Sequence, residues 1–108
     1  MPTKEEMASV IISILNSCNN TILNLDEFVE IARRQEREVE GMSWNEAKLR
    51  QIYEAYCVLQ EEFGQRGPTD TEEQLNSRND EELEDLLDKI DLARNAIGIL
   101  HNFSPEEQ

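Results

Sequence analysis

The segment from Asn79 to Phe103 constrains the fold most, because its apolar residues recur at the spacing of an α-helix. At about 100° per residue, one stripe contains Leu83, Leu86, Leu87, Ile90, Ala93, Ile97 and Leu100. Asn79 is followed three residues later by Glu82, which is the pattern of a helix N-cap. The segment therefore predicts a long amphipathic helix packed against a core.

A second apolar stripe lies on the opposite side of the same predicted helix. It consists of Leu92, Ala96, Ile99 and Phe103. A helix that is apolar on two sides must be covered on two sides. Two interpretations stay open: the helix enters the centre of its own domain, or this stripe is a partner-binding apolar face. In the second case the partner is another protein or, in a homodimer, a second copy of this chain.

Three further helices are predicted upstream. A cap at Thr3 opens the first helix, which ends at Asn19-Asn20, and the second runs from about Leu25 to Glu40. A capping pattern at Ser43 opens a third, which extends to about Phe63. No stretch alternates as a strand would. We therefore predict an all-α fold, a small bundle of about four helices with a long antiparallel pair in the C-terminal half.

The length of 108 residues predicts one acidic helical domain over residues 1–108. Within it, a polar link at about 65–78 has few apolar residues to anchor it, so we expect it to be mobile or loosely folded. A short polar tail occupies residues 104–108.

The charge balance excludes several classes of partner. The chain has 24 acidic and 10 basic residues, a formal net charge of −14. Such a charge repels nucleic acid and anionic lipid, so we expect neither to bind directly. No apolar run approaches the ~20 residues of a membrane span, and no secretory signal is evident. A cytoplasmic protein with reduced thiols is the resulting expectation.

The sequence predicts no catalytic, cofactor-binding or metal site, and we expect the protein not to be an enzyme. Its only histidine, His101, lies near a predicted helix C-terminus, where a cation is simply favoured. Cys18 and Cys57 lack the spacing of metal ligands, and two cysteines with one histidine make a poor zinc set.

One local pattern nevertheless concerns calcium. Residues 16–27 resemble a degenerate EF-hand loop, with apolar Leu23 at the eighth position and Glu27 at the twelfth, the place of the bidentate ligand. The first, third and fifth positions, where calcium favours carboxylates, are Asn16, Cys18 and Asn20. Thr21 replaces the turn glycine. The resemblance implies calcium binding as one functional hypothesis; a helix end, a loop and a capped helix start explain the same residues.

The flank of the C-terminal helix carries a row of carboxylates. We predict a partner-binding acidic face formed by Glu81, Glu84, Asp85, Asp88 and Asp91. Such a face attracts a basic surface on another protein. The sequence thus favours a non-enzymatic protein–protein interaction module, or a small regulator or inhibitor, that binds through its acidic and apolar faces.

An alternative is mimicry of nucleic acid. Carboxylates spaced along a helix can imitate a phosphate backbone and occupy a basic groove. Phage anti-restriction and anti-CRISPR proteins are similar in size, charge and helical class, although no motif supports the likeness.

Overall fold

The computed structural model describes residues 2–101, and the regular elements in that range are all α-helices. They are α1 (Lys4–Ser17), α2 (Leu25–Glu38), α3 (Glu46–Phe63), α4 (Pro68–Asn76), α5 (Asp80–Ala93) and α6 (Asn95–Leu100). The all-α prediction is confirmed. The expected number of about four is low, because residues 2–101 form five helices of nine or more residues and the six-residue α6.

Three helices start where the sequence predicted. The Thr3 hydroxyl accepts the Glu6 N–H at 3.1 Å at the start of α1. Asn24 and Asn79 each form a reciprocal capping box with the glutamate three residues later. Each such cap contributes about 1 kcal/mol by satisfying a free N–H of the first turn.

Helix α3 starts two residues later than the sequence indicated. Its cap is Asn45, whose side-chain oxygen accepts the Lys48 N–H at 3.2 Å, and not Ser43. The reason is a tertiary contact: the Glu36 carboxylate of α2 accepts the Trp44 N–H and holds that residue outside the helix.

Helix α4 corrects the expectation for the polar link. Residues 68–76 form a regular helix that packs against α1, with Thr71 and Leu75 fully buried. Pro68 occupies the first turn, where its missing N–H costs nothing. Two buried side chains four residues apart lie on one helical face, and this is enough to dock a short helix that the composition suggested was loose.

The pairing of α3 with α5 is the most extensive helix–helix contact in the described chain. Arg78, just before α5, forms an ion pair with Glu62 near the end of α3, with Nη2 and Oε2 3.0 Å apart. Its guanidinium also lies 5.4 Å from the centre of the Phe63 ring. The start of α5 is therefore beside the end of α3, as an antiparallel pair requires.

The single helix predicted from Asn79 onward is divided in the structure. Helix α5 ends at Ala93, and α6 begins at Asn95. The Asn95 side-chain amide donates to the carbonyl oxygens of Asp91 and Leu92, at 3.3 and 3.1 Å. Such local bonds compete with a continuous backbone ladder.

The six helices share one core, a single cluster of buried side chains to which each contributes. Helix α1 contributes five buried side chains to this cluster, Met7, Ala8, Ile11, Ile14 and Leu15. Helix α6 contributes the buried Leu100 to this core. The Gln35 side chain of α2 holds α6 in place by donating to the Ile99 carbonyl oxygen at 2.8 Å. The short α6 is thus a buried element of the bundle.

Candidate interaction surfaces

The structure brings the predicted acidic face together on the outer side of α5. The inner side of this helix buries Leu83, Leu86 and Ile90, and the carboxylates between them point to solvent. All five predicted carboxylates are exposed: Glu81, Glu84, Asp85, Asp88 and Asp91. Four of them, together with Glu82, line a shallow concavity of about 430 Å³.

Almost nothing neutralises this acidic face within its own helix. Helix α5 contains seven carboxylates, all exposed, and one basic residue, Lys89. Lys89 Nζ lies 2.8 Å from Asp85 Oδ2. An exposed pair of this kind contributes only about 0.3–0.5 kcal/mol, and six carboxylates of the helix are left without a basic partner on it. The outer side of α5 therefore carries a concentrated negative field.

The predicted apolar face is closed by the protein itself. Ala96 and Ile99 are 0% and 1% exposed, and Leu92 is partly buried against the same core. The prediction of a partner-binding face is therefore corrected for Ala96 and Ile99, since side chains covered by their own domain offer a partner no surface. Leu92 keeps part of its surface exposed. Phe103, its fourth member, lies outside the described residues.

A different apolar surface is open. A groove of about 450 Å³ lies between the α1–α2 loop (residues 18–24) and α3, with Ile22, Leu23, Tyr53 and Cys57 in its walls. Ile22 lines this groove, and 78% of its surface is exposed. We refer to this site as the loop groove.

The walls of the loop groove are held by hydrogen bonds from α3. The Tyr56 hydroxyl donates to the Thr21 carbonyl oxygen at 2.7 Å, and the Tyr53 hydroxyl donates to the Leu23 carbonyl oxygen at 2.9 Å. Burial, followed by the nearby cysteines, raises the pKa of Tyr56, so the donor stays protonated at neutral pH. The two tyrosines therefore fix the loop on both sides of Ile22.

The loop itself turns through two residues in the left-handed region. Asn19 and Asn20 have φ of 57° and 49°, a conformation that asparagine tolerates better than most residues. The prediction that this pair ends α1 is confirmed. The Thr21 hydroxyl then donates to the Cys18 carbonyl oxygen at 2.6 Å, which tightens the turn.

The loop groove is polar at one end only. Glu61 is the one charged residue in its lining, and the neighbouring Gln60 is held weakly, with its Nε2 3.4 Å from the Asn20 carbonyl oxygen. The Gln60 side-chain oxygen has no hydrogen-bond donor among the described residues. The exposed Glu61 carboxylate is therefore the acceptor that a ligand donor meets here, with no competing cation in the lining.

The residues that resemble an EF-hand loop serve the capping and the anchoring of this turn. The Glu27 carboxylate accepts the Asn24 N–H at 3.1 Å, and the Thr21 and Leu23 carbonyl oxygens accept the tyrosine hydroxyls. Within residues 2–101, no three His, Cys, Asp or Glu side chains group as metal ligands. These contacts account for the pattern without a bound ion.

The remaining reactive side chains are His101 and the two cysteines. His101 follows α6, and its Nδ1 is 3.0 Å from the Ile97 carbonyl oxygen. Cys18 is buried, which raises the pKa of its thiol to about 12. Cys57 is a free thiol in the wall of the loop groove.

Sequence reasoning missed the loop groove because Ile22 belongs to no helical stripe. The only signal was an apolar Ile22-Leu23 pair in an otherwise polar connection, and a lone exposed apolar residue is common on protein surfaces. That Tyr53 and Cys57 approach this pair depends on how α3 packs.

No helix among residues 2–101 has both the length and the apolar character needed to cross a membrane. Comparison with protein-family models, curated proteins and solved structures gave no match.

Proposed function

We propose that this protein is a small non-enzymatic interaction module that binds a basic surface of another protein through the acidic face of α5. The single observation that carries the proposal is the exposure of all five carboxylates of that face on a helix with one basic residue. A field of one sign speeds the approach of an oppositely charged partner and selects against acidic ones.

Nucleic-acid mimicry is the second candidate, and the charge spacing on α5 favours it. Seven carboxylates lie on a helix of 14 residues, which is about 21 Å long at 1.5 Å per residue. This is one charge per about 3 Å, close to the ~3.4 Å of axis per phosphate in one DNA strand. Both candidates use the same face and differ in whether the partner surface normally holds nucleic acid.

The test compares two variants of equal charge. In the first, Glu81→Gln, Glu84→Gln, Asp85→Asn and Asp88→Asn neutralise four of the five carboxylates of the acidic face. In the second, Glu30→Gln, Glu38→Gln, Glu40→Gln and Glu54→Gln neutralise exposed carboxylates elsewhere. Proteins captured by the wild type from a lysate of the source organism are identified by mass spectrometry, purified and titrated by calorimetry at 50 and 300 mM NaCl.

We expect the first variant to lose affinity at least tenfold and the second to retain it, with wild-type binding weaker at the higher salt concentration. Equal losses in the two variants would show that net charge alone matters and would contradict the proposal. If duplex DNA displaces this protein from the captured partner, the two compete for one surface, which identifies mimicry. Binding that DNA does not displace identifies an ordinary protein interface.

A further inference from the structure

We propose that the loop groove is a second binding site, and that it takes a short segment of a partner protein carrying a large apolar side chain beside an arginine or lysine. The site is distinct from the acidic face, since the two share no lining residue. Its chemistry can be read from three features: an apolar wall, an acidic end and a rigid frame.

The apolar wall requires an apolar occupant. Ile22 is the most exposed large hydrophobic residue of the described chain, and Leu23 and Tyr53 continue its surface into the groove. Water against these side chains is released when an apolar group covers them, which favours binding in proportion to the area covered. A volume of about 450 Å³ is large enough for a few adjacent side chains of a peptide, more than one side chain needs.

The acidic end requires a cation next to that apolar group. Glu61 forms no ion pair with another described residue, and the groove lining contains no basic side chain. The exposed Glu61 carboxylate supplies two acceptor oxygens for a guanidinium or ammonium group.

The overall charge decides against a second copy of this chain as the occupant. Each copy carries a formal charge of −14, so two copies repel each other, and the acidic end would meet another acidic surface. A basic partner gains from the same field. The occupant is therefore a basic segment of a different protein.

The frame is already formed, which lowers the cost of binding. The tyrosine hydroxyls at 2.7 and 2.9 Å hold the loop on both sides of Ile22, and the Phe28 and Tyr53 rings pack with centroids 5.6 Å apart. A site that needs no ordering on binding keeps more of its contact energy as affinity.

The experiment pans a phage library of random dodecapeptides against the full-length protein, and the enriched peptides are synthesised for calorimetry and for ¹⁵N-HSQC titration. We expect a consensus with one aliphatic or aromatic residue within two positions of Arg or Lys. Amide shifts should concentrate at Ile22, Tyr53, Cys57 and Gln60. No enrichment, a consensus without a basic residue, or shifts confined to α5 would each overturn the proposal.

Two matched pairs of variants separate the apolar contribution from the charged one. Ile22→Ser should weaken binding about tenfold, while Val39→Ser, at the other exposed large hydrophobic residue, should leave it unchanged. Glu61→Gln should weaken it about threefold at 50 mM NaCl and have no effect at 500 mM. Glu54→Gln, on the same helix, should have no effect at either salt concentration. Equal effects within either pair would contradict the assignment.

This test is independent of the one for the acidic face. A peptide that still binds the variant neutralised at Glu81, Glu84, Asp85 and Asp88 but fails on Ile22→Ser supports the loop groove even if the proposed function of α5 is wrong. The opposite pattern supports the acidic face and overturns the loop groove. A concentration-dependent dimer that Ile22→Ser abolishes would assign the groove to a second copy and also overturn the proposal.

Discussion

The second apolar stripe of the C-terminal segment and the loop groove are two apolar surfaces with opposite outcomes. Ala96 and Ile99 belong to a stripe that the sequence made conspicuous, and the core covers them. Ile22 belongs to no stripe, and it is exposed. Apolar periodicity therefore predicts which side of a helix must be buried. Which other helices bury it depends on the packing of the whole fold.

The largest effect is expected from a charge placed in the closed stripe. Ile99→Asp puts a carboxylate at a site with 1% exposure, and we expect it to lower the free energy of unfolding by about 4 kcal/mol or more. Urea denaturation followed by circular dichroism measures this. Val39→Asp, at a site with 47% exposure, is the control and should change little. A folded, stable Ile99→Asp protein would show that the stripe is not enclosed.

The next effect concerns helix α4, which helps to cover the core beside α1. Leu75→Ala removes a fully buried side chain and should cost about 3 kcal/mol, from lost burial and the cavity left behind. Thermal denaturation of this variant is compared with that of Glu73→Ala, which changes an exposed residue of the same helix. Equal stability of the two variants would restore the interpretation of residues 65–78 as a loose link.

A smaller effect is expected at the frame of the open groove. Tyr56→Phe deletes the hydroxyl that donates to Thr21, which leaves a carbonyl oxygen without its donor and should cost about 1–2 kcal/mol. The fold should persist, and the Ile22 amide resonance should broaden or move as the loop is released. An unchanged HSQC spectrum around Ile22 would mean that the hydroxyl does not hold the groove.

The buried thiol of Cys18 and the buried hydroxyl of Tyr56 predict a loss of stability at high pH. Burial raises the pKa of Cys18 from 9.0 to about 12 and raises that of Tyr56 above its ordinary 10.0. Because these pKa values are higher in the folded protein, the unfolded chain releases its protons first. The contribution to stability is complete below about pH 9 and is lost as the pH rises toward 12. Urea denaturation between pH 7 and 11.5 measures the slope, which Tyr56→Phe should reduce; a flat profile would contradict the burial of both groups.

The smallest effect is expected at the open groove itself. Ile22→Asp replaces a side chain that is 78% exposed, and its stability should stay within about 0.5 kcal/mol of the wild type. Ile22→Asp and Ile99→Asp both exchange isoleucine for aspartate. The difference between their free energies of unfolding therefore measures the effect of exposure at the two sites. A large loss at Ile22 would mean that the groove is closed in solution.

Local sequence was enough for most of the helices. The caps at Thr3, Asn24 and Asn79 formed as predicted, because a cap needs only a side chain and the N–H groups of the next turn. The acidic face was likewise predictable in position, since residues three and four apart must share a side of a helix. Its role as a partner-binding site stays a prediction.

Most of the exceptions involve contacts between different helices. The start of α3 depends on Glu36 of α2, and the docking of α4 depends on α1. The break at Asn95 uses only local bonds, but α6 enters the core where α2 holds the Ile99 carbonyl. The contacts between helices have no signature in the local pattern, because only packing brings their partners together.

The sequence by itself determined the helical class, the helix caps and the negative side of α5, because helix periodicity and capping act over fewer than five residues. Which apolar surface stays exposed to solvent depends on the tertiary structure. Covering a stripe depends on which helices pack against it, and that choice closed Ile99 inside the bundle and left Ile22 beside a groove between the α1–α2 loop and α3.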